Sequence, residues 1–169
     1  FGGHHLAINA TISGPNLTIS PTLTGGEPLK FDLNGQPVYI VEDEAKDAAS
    51  FLASLNTAQR TQAVKSTNRI DLVLGPGQDG KVLQPEGVMG STLNTQQKQL
   101  LLALIRSRLG IMNANDLSPT MAAIEKNLNH TSSAWFGPTT PIGAGYCRIT
   151  GPTIILEFSP LANDGDATD

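Results

Sequence analysis

The sequence predicts an α+β protein: a mainly antiparallel sheet built from hairpins, with a central helical segment packed on it. Three observations lead there. Both ends of the chain alternate apolar and polar residues, the period of a half-buried strand. The middle places apolar residues at helical spacing behind N-capping residues. The resulting order is strands, helices, strands, which favours antiparallel pairing with segregated helices.

From His4 to Ser13, the residues His4, Leu6, Ile8, Ala10 and Ile12 share one face and His5, Ala7, Asn9 and Thr11 the other. One continuous strand is expected. Gly14-Pro15-Asn16 makes a turn, and Leu17, Ile19 and Leu23 resume the alternation as the second arm of a hairpin. A second hairpin is expected where Lys30–Leu33 and Val38–Val41 flank Asn34-Gly35, the strongest short hairpin signal. Ala45, Ala48, Ala49, Leu52 and Leu55 then mark a helix from Asp43 to Leu55. Asn56-Thr57-Ala58-Gln59 has the form of a capping box and opens a short helix running to the neighbourhood of Ser66. Ile70–Leu74 suits a strand or a buried turn. Gly75 through Gly90 is a long loop, a length that usually marks function or disorder.

Asn94-Thr95-Gln96-Gln97 opens the clearest helix, which ends at Leu109 before Gly110. Ser118-Pro119 is expected to start another, with Met121, Ile124 and Leu128 as its core stripe. Strands return at Ala134-Trp135-Phe136. A last hairpin, Tyr146–Thr150 and Thr153–Phe158, is expected around Gly151-Pro152. In its simplest register Arg148 lies on the same face as Glu157, while Ile154, Leu156 and Phe158 share the other face. No internal repeat is evident.

The 169 residues suffice for a single α+β domain over residues 1–160, followed by a polar tail at 161–169. Net charge is −4 and no Lys/Arg cluster occurs, so the chain lacks an electrostatic footprint for nucleic acid. The longest apolar run, Leu100–Ile105, falls far short of the ~20 residues of a spanning helix. Neither nucleic acid nor a membrane is expected as a partner. The single cysteine, Cys147, excludes an internal disulfide and is expected to be a small buried apolar residue. An interchain bond or a reactive thiol are the alternatives. Sequons at Asn9-Ala10-Thr11, Asn16-Leu17-Thr18 and Asn129-His130-Thr131 predict N-linked glycans and a secreted, extracellular protein. The chain opens at Phe1 without a charged-then-apolar leader, so a processed piece of a longer precursor is expected.

Chemistry-bearing residues are few. On a straight strand His4 and His5 point to opposite faces, so both would bind one metal only if a bulge at Gly2-Gly3 twisted the pair. Glu157 and Arg148 suit a cross-strand ion pair, or an oriented carboxylate that binds metal or acts as a base. Glu86 and Asp79 sit in the long loop without the full spacing of a calcium loop. Gly75-Pro76-Gly77 lacks the Lys-Ser/Thr of a phosphate loop. His130, inside a sequon at a helix end, is expected to be exposed and idle.

Several segments together resemble the domain-of-unknown-function family numbered 3500, which is bacterial and fungal. They are Gly2-Gly3-His4-His5-Leu6-Ala7-Ile8-Asn9, Leu52-Ala53-Ser54-Leu55-Asn56-Thr57-Ala58-Gln59-Arg60, Leu72-Val73-Leu74-Gly75-Pro76-Gly77-Gln78-Asp79-Gly80, Pro85-Glu86-Gly87, Tyr146-Cys147-Arg148-Ile149-Thr150-Gly151-Pro152 and Ile154-Ile155-Leu156-Glu157-Phe158. The resemblance spans nearly the whole chain, and the family carries no established activity. It implies a longer protein, in which the last strand is followed by a His-x-His segment and an Arg-Asp pair that this chain does not contain. With His4, His5 and Glu157, such a segment would make an imidazole-carboxylate site suited to zinc, iron or copper.

Two readings follow. In the first, the chain is a secreted metal-dependent hydrolase or part of one. His4 and His5 then hold a transition metal such as zinc, Glu157 is ligand or base, Arg148 orients it, and another fragment of the same precursor supplies the rest. In the second, it is a non-catalytic extracellular binding or structural module.

Overall fold

Two-residue turns organise the chain up to Tyr39. The computed structural model describes residues 1–160, so the polar tail expected at 161–169 lies outside the described residues. The architecture is α+β, and contacts gather into two compact units, Phe1–Glu42 and the stretch from Asp43 onward.

The first unit is built from two-stranded ribbons. Strand β1 (Leu6–Ile8) pairs antiparallel with β4 (Thr22–Thr24), and β2 (Thr11–Ser13) pairs with β3 (Asn16–Thr18) across Gly14-Pro15. The single strand expected from His4 to Ser13 is therefore interrupted at Asn9-Ala10. Asn9 sends both its backbone N–H (3.3 Å) and its side-chain amide (2.8 Å) to the carbonyl of Pro21. Strand β5 (Lys30–Leu33) pairs with β6 (Gln36–Tyr39), Leu33 opposite Gln36, around Asn34-Gly35. Both turn residues are left-handed (φ 55° and 78°), as the tightest hairpin turn requires, and Asp32 Oδ1 accepts the Gly35 N–H at 2.7 Å.

The second unit carries the helices and a five-stranded sheet. Helix α1 (Glu42–Ser54) buries Ala45, Ala48, Phe51 and Leu52. Helix α2 (Thr57–Ala63) starts with the expected capping box: Asn56 accepts the Gln59 N–H and Gln59 returns a bond to the Asn56 N–H. It ends earlier than expected, because Val64–Ser66 forms strand β7. Strand β8 (Val88–Met89) leads through a 3-10 turn (Gly90–Thr92) into α3 (Thr95–Leu109), capped by Asn94 and Gln97 in the same reciprocal way. Arg106 and Arg108 in its last turn favour the negative helix end.

Helix α4 (Ala114–Lys126) starts ahead of Ser118-Pro119. Asn113 is its N-cap, accepting from Asn115 N (3.0 Å) and Asp116 N (3.2 Å), and Pro119 sits inside the helix. The start at Ser118 is overturned because a side-chain cap satisfies two free N–H groups, whereas Pro removes only one donor. Met121, Ile124 and Leu128 are buried, as a core stripe should be.

The sheet runs β11 (Ile154–Phe158), β10 (Tyr146–Gly151), β9 (Ser132–Phe136), β7, with β8 also on β9. All pairings are antiparallel except β7 on β9. The last turn is Pro152-Thr153, since Gly151 pairs with Ile154. Alternation divides the sheet. Trp135, Cys147 and Ile149 join Phe51, Leu101, Ile105 and Ile124 in the core, with Ile154, Leu156 and Phe158 packed against it. The opposite face carries Tyr146, Arg148 and Glu157.

At the helix side of the core, Gln59 and Gln97 form a reciprocal amide pair. Each donates to the other (3.0 and 2.8 Å), Gln59 also to the Thr92 carbonyl and Gln97 also to the Ser54 carbonyl (both 2.8 Å). They occupy matching places in Leu55-Asn56-Thr57-Ala58-Gln59-Arg60 and Leu93-Asn94-Thr95-Gln96-Gln97-Lys98, a short repeat the periodicity alone did not reveal.

Candidate functional site

The richest polar cluster lies on the sheet face turned away from the helices. The β10–β11 register sets Arg148 directly opposite Glu157, so the two share a face as expected. The ion pair expected between them does not form. Glu157 Oε1 accepts from Val73 N (2.8 Å) and the Tyr146 hydroxyl (2.5 Å), and Oε2 from Leu74 N (2.8 Å). Arg148 Nη2 instead reaches Glu86 Oε1 at 3.0 Å. Neutral donors from the backbone thus satisfy Glu157, and the loop carboxylate neutralises the arginine.

Both contacts tie down the segment between β7 and β8. Ile70–Leu74 makes no ladder, so the strand alternative does not hold, and the segment is half-buried with Asp71 exposed. Val73 and Leu74 fasten one end through Glu157 and Glu86 fastens the other through Arg148. Gly87 closes the segment against β9: at φ 96°, a Cβ there would lie 2.0 Å from the Ser133 carbonyl oxygen. Residues 76–82 between these ends are exposed.

Burial is the first cause of the electrostatics here. It pushes the Tyr146 phenol well above its ordinary range; the hydrogen bond and charge of Glu157 add to the shift, and Arg148 offsets part of it. Tyr146 is therefore a permanent donor to Glu157. Its role was missed, although its spacing of two from Arg148 places it on the same face. The Arg148 side chain is 7% exposed, and its Nε is buried without a hydrogen-bond partner.

On the opposite face Cys147 is buried and free, and burial with the nearby Glu44 charge pushes its thiol up to about 12, the Phe158 backbone opposing. That is the small apolar residue expected, protonated and inert at neutral pH. Glu44 and Arg108 lie 3.8 Å apart beside it, lining a small pocket with Leu104, Cys147, Ile149, Leu156 and Phe158. Burial raises the Glu44 pKa and Arg108 lowers it in part.

His4 and His5 belong to the first unit and depart from the straight strand expected there. Gly2 bridges Ala7 and the Gly3 N–H donates to the Leu6 carbonyl (2.6 Å), so both histidines sit in a tight turn before β1. Their exposed rings stack, with centroids 4.2 Å apart and planes at 16°. Among the described residues no group of three or more His, Cys, Asp or Glu side chains is placed to hold a metal ion.

The sequon asparagines Asn9, Asn16 and Asn129 are exposed, as is His130. Asn129 Oδ1 accepts from Lys98 Nζ at 2.8 Å, and Thr131 is buried. No described helix is long and apolar enough to cross a membrane.

The model of a family described as "Protein of unknown function (DUF3500)" matches residues 1–167. No curated protein and no solved structure matches the chain.

Proposed function

The chain belongs to the DUF3500 family of proteins of unknown function, and from that premise we propose that it is a secreted, N-glycosylated module that binds or scaffolds and does not catalyse. The observation that carries the reading is that both Glu157 oxygens are engaged within the fold. Three hydrogen bonds occupy its carboxylate, two of them from backbone N–H groups. A general base needs a lone pair aimed at substrate, and three of the roughly four acceptor positions of this carboxylate hold a loop and Tyr146 instead. Exposure of Asn9, Asn16 and Asn129 supports glycan attachment. Net charge and the lack of a basic cluster support the expectation of no nucleic-acid partner.

A second reading, the metal-dependent hydrolase, draws support from the stacked pair at the hairpin tip. His4 and His5 lie side by side rather than on opposite faces. To share one zinc ion their rings must leave the stack, because imidazole lone pairs lie in the ring planes and nearly parallel planes do not converge on one point.

One preparation separates the two. The chain is secreted from a eukaryotic host, weighed intact before and after enzymatic removal of N-glycans, and analysed for transition metals before and after chelation. The module reading expects a glycan mass that the enzyme removes and no stoichiometric metal. Near-stoichiometric zinc, copper or iron, lost in the His4→Ala and His5→Ala variants, would replace it with the hydrolase reading.

A further inference from the structure

We propose that Arg148 is a binding residue for a carboxylate ligand, and that Glu86 occupies its site as an internal competitor; the proposal rests on the binding-module reading.

Arg148 stands at the centre of the sheet, between Ala134 on β9 and Glu157 on β11. A guanidinium offers two parallel N–H bonds along its Nε–Nη2 edge, and a carboxylate fits that edge with both oxygens. On that edge Nη2 meets one Glu86 oxygen at 3.0 Å, and the buried Nε has no partner. A buried donor left unpaired is costly. The arginine is thus held in place with half of its recognition edge unused.

The neighbours leave Nε without an acceptor: the Tyr146 hydroxyl also interacts with the Arg148 guanidinium, yet Nε stays unpaired. Glu157 sits opposite, but its oxygens are committed to Val73, Leu74 and Tyr146. Ala134 carries no polar group. Glu86 is the exchangeable element, since its side chain is 37% exposed against 7% for Arg148. The backbone beside Glu86 is anchored independently, through the close approach of Gly87 to Ser133. Glu86 can therefore swing outward while the loop end stays on the sheet.

Charge selects the ligand class. Replacing the Glu86 carboxylate by another monoanion leaves the cluster's charge unchanged, whereas a dianion adds a negative charge beside Glu157. A monoanionic carboxylate is favoured over sulfate or phosphate on charge.

The test follows the Arg148 Nε–Hε resonance by nuclear magnetic resonance while sodium acetate, sodium sulfate or sodium chloride is added to the full chain. Acetate is expected to shift the resonance saturably, and Glu86→Ala to lower the midpoint by about tenfold, since removing the competitor raises the competent fraction. Sulfate should act more weakly and chloride not at all. In Arg148→Lys the backbone amides of Cys147–Ile149 should not respond to acetate. Glu86→Gln serves as a second variant that keeps the side-chain volume. The proposal is overturned if folded Glu86→Ala or Glu86→Gln shows no saturable shift, if chloride matches acetate, or if both variants fail to fold, which would make Glu86 a structural partner. The same samples are analysed for metal. Stoichiometric metal would remove the module reading, whereas a flat titration on metal-free protein would remove the carboxylate site alone.

Discussion

Substituting Gln97 by Ala tests the amide pair that joins the ends of α1, α2 and α3. Gln97 is 4% exposed and Gln59 is 8% exposed. The substitution deletes the bonds from Gln97 Nε2 to the Ser54 carbonyl and to Gln59 Oε1, and those that Gln97 Oε1 accepts from Gln59 Nε2 and the Asn94 N–H. Asn94 is exposed, so water replaces that last bond. The other three, at about 1 kcal/mol net each, set a loss of about 3 kcal/mol. The Gln59 amide keeps its bonds to the Thr92 carbonyl and the Asn56 N–H but loses both of those it shares with Gln97. Gln59→Leu combined with Gln97→Leu removes both amides, so the double variant should lose less than the sum of its singles by about 1–2 kcal/mol. Urea denaturation at neutral pH measures all five proteins (wild type, Gln97→Ala, the two Leu singles and their double), provided the slopes agree. A Gln97→Ala loss below about 1 kcal/mol, or strict additivity in the cycle, would show that the pair is not a buried cooperative unit.

Two further outcomes follow from the packing of Gly87 and Glu44. Gly87→Ala should destabilise by about 2–4 kcal/mol, because a left-handed backbone and a Cβ 2.0 Å from the Ser133 oxygen force β8 off β9; a denaturation midpoint equal to wild type would contradict it. Glu44 has a folded-state pKa raised above its unfolded value, chiefly by burial. Its carboxyl therefore favours the folded state below the unfolded pKa, and that contribution is lost as pH rises through the folded value. Glu44→Gln should accordingly gain stability relative to wild type between pH 4 and pH 7, read as a growing difference in urea midpoint. A constant difference would place the Glu44 carboxyl in water.

Much of the fold was legible locally. The turns at Gly14-Pro15 and Asn34-Gly35 and the capping boxes at Asn56 and Asn94 formed as expected, because each signal and its partner lie within four residues. The shared face of Arg148 and Glu157 needed only the period of a strand and a short turn. Asn113 outcompeted Ser118-Pro119 as a helix start through its own side-chain bonds, a choice between two local signals that spacing alone did not rank.

What the sequence by itself determined is the α+β class, the helix starts at Asn56 and Asn94, the two hairpin turns, the family, and which residues alternate on the last strands. Only the tertiary structure decided the partners. It matched Glu157 with the N–H groups of Val73 and Leu74, Arg148 with Glu86, Gln59 with Gln97, and β7 with β9 in parallel. It also broke the first strand at Asn9 against Pro21. The physical reason is range. A cap or a tight turn is satisfied by neighbours in the chain, whereas a buried carboxylate, guanidinium or amide takes the donors and acceptors that packing brings to it.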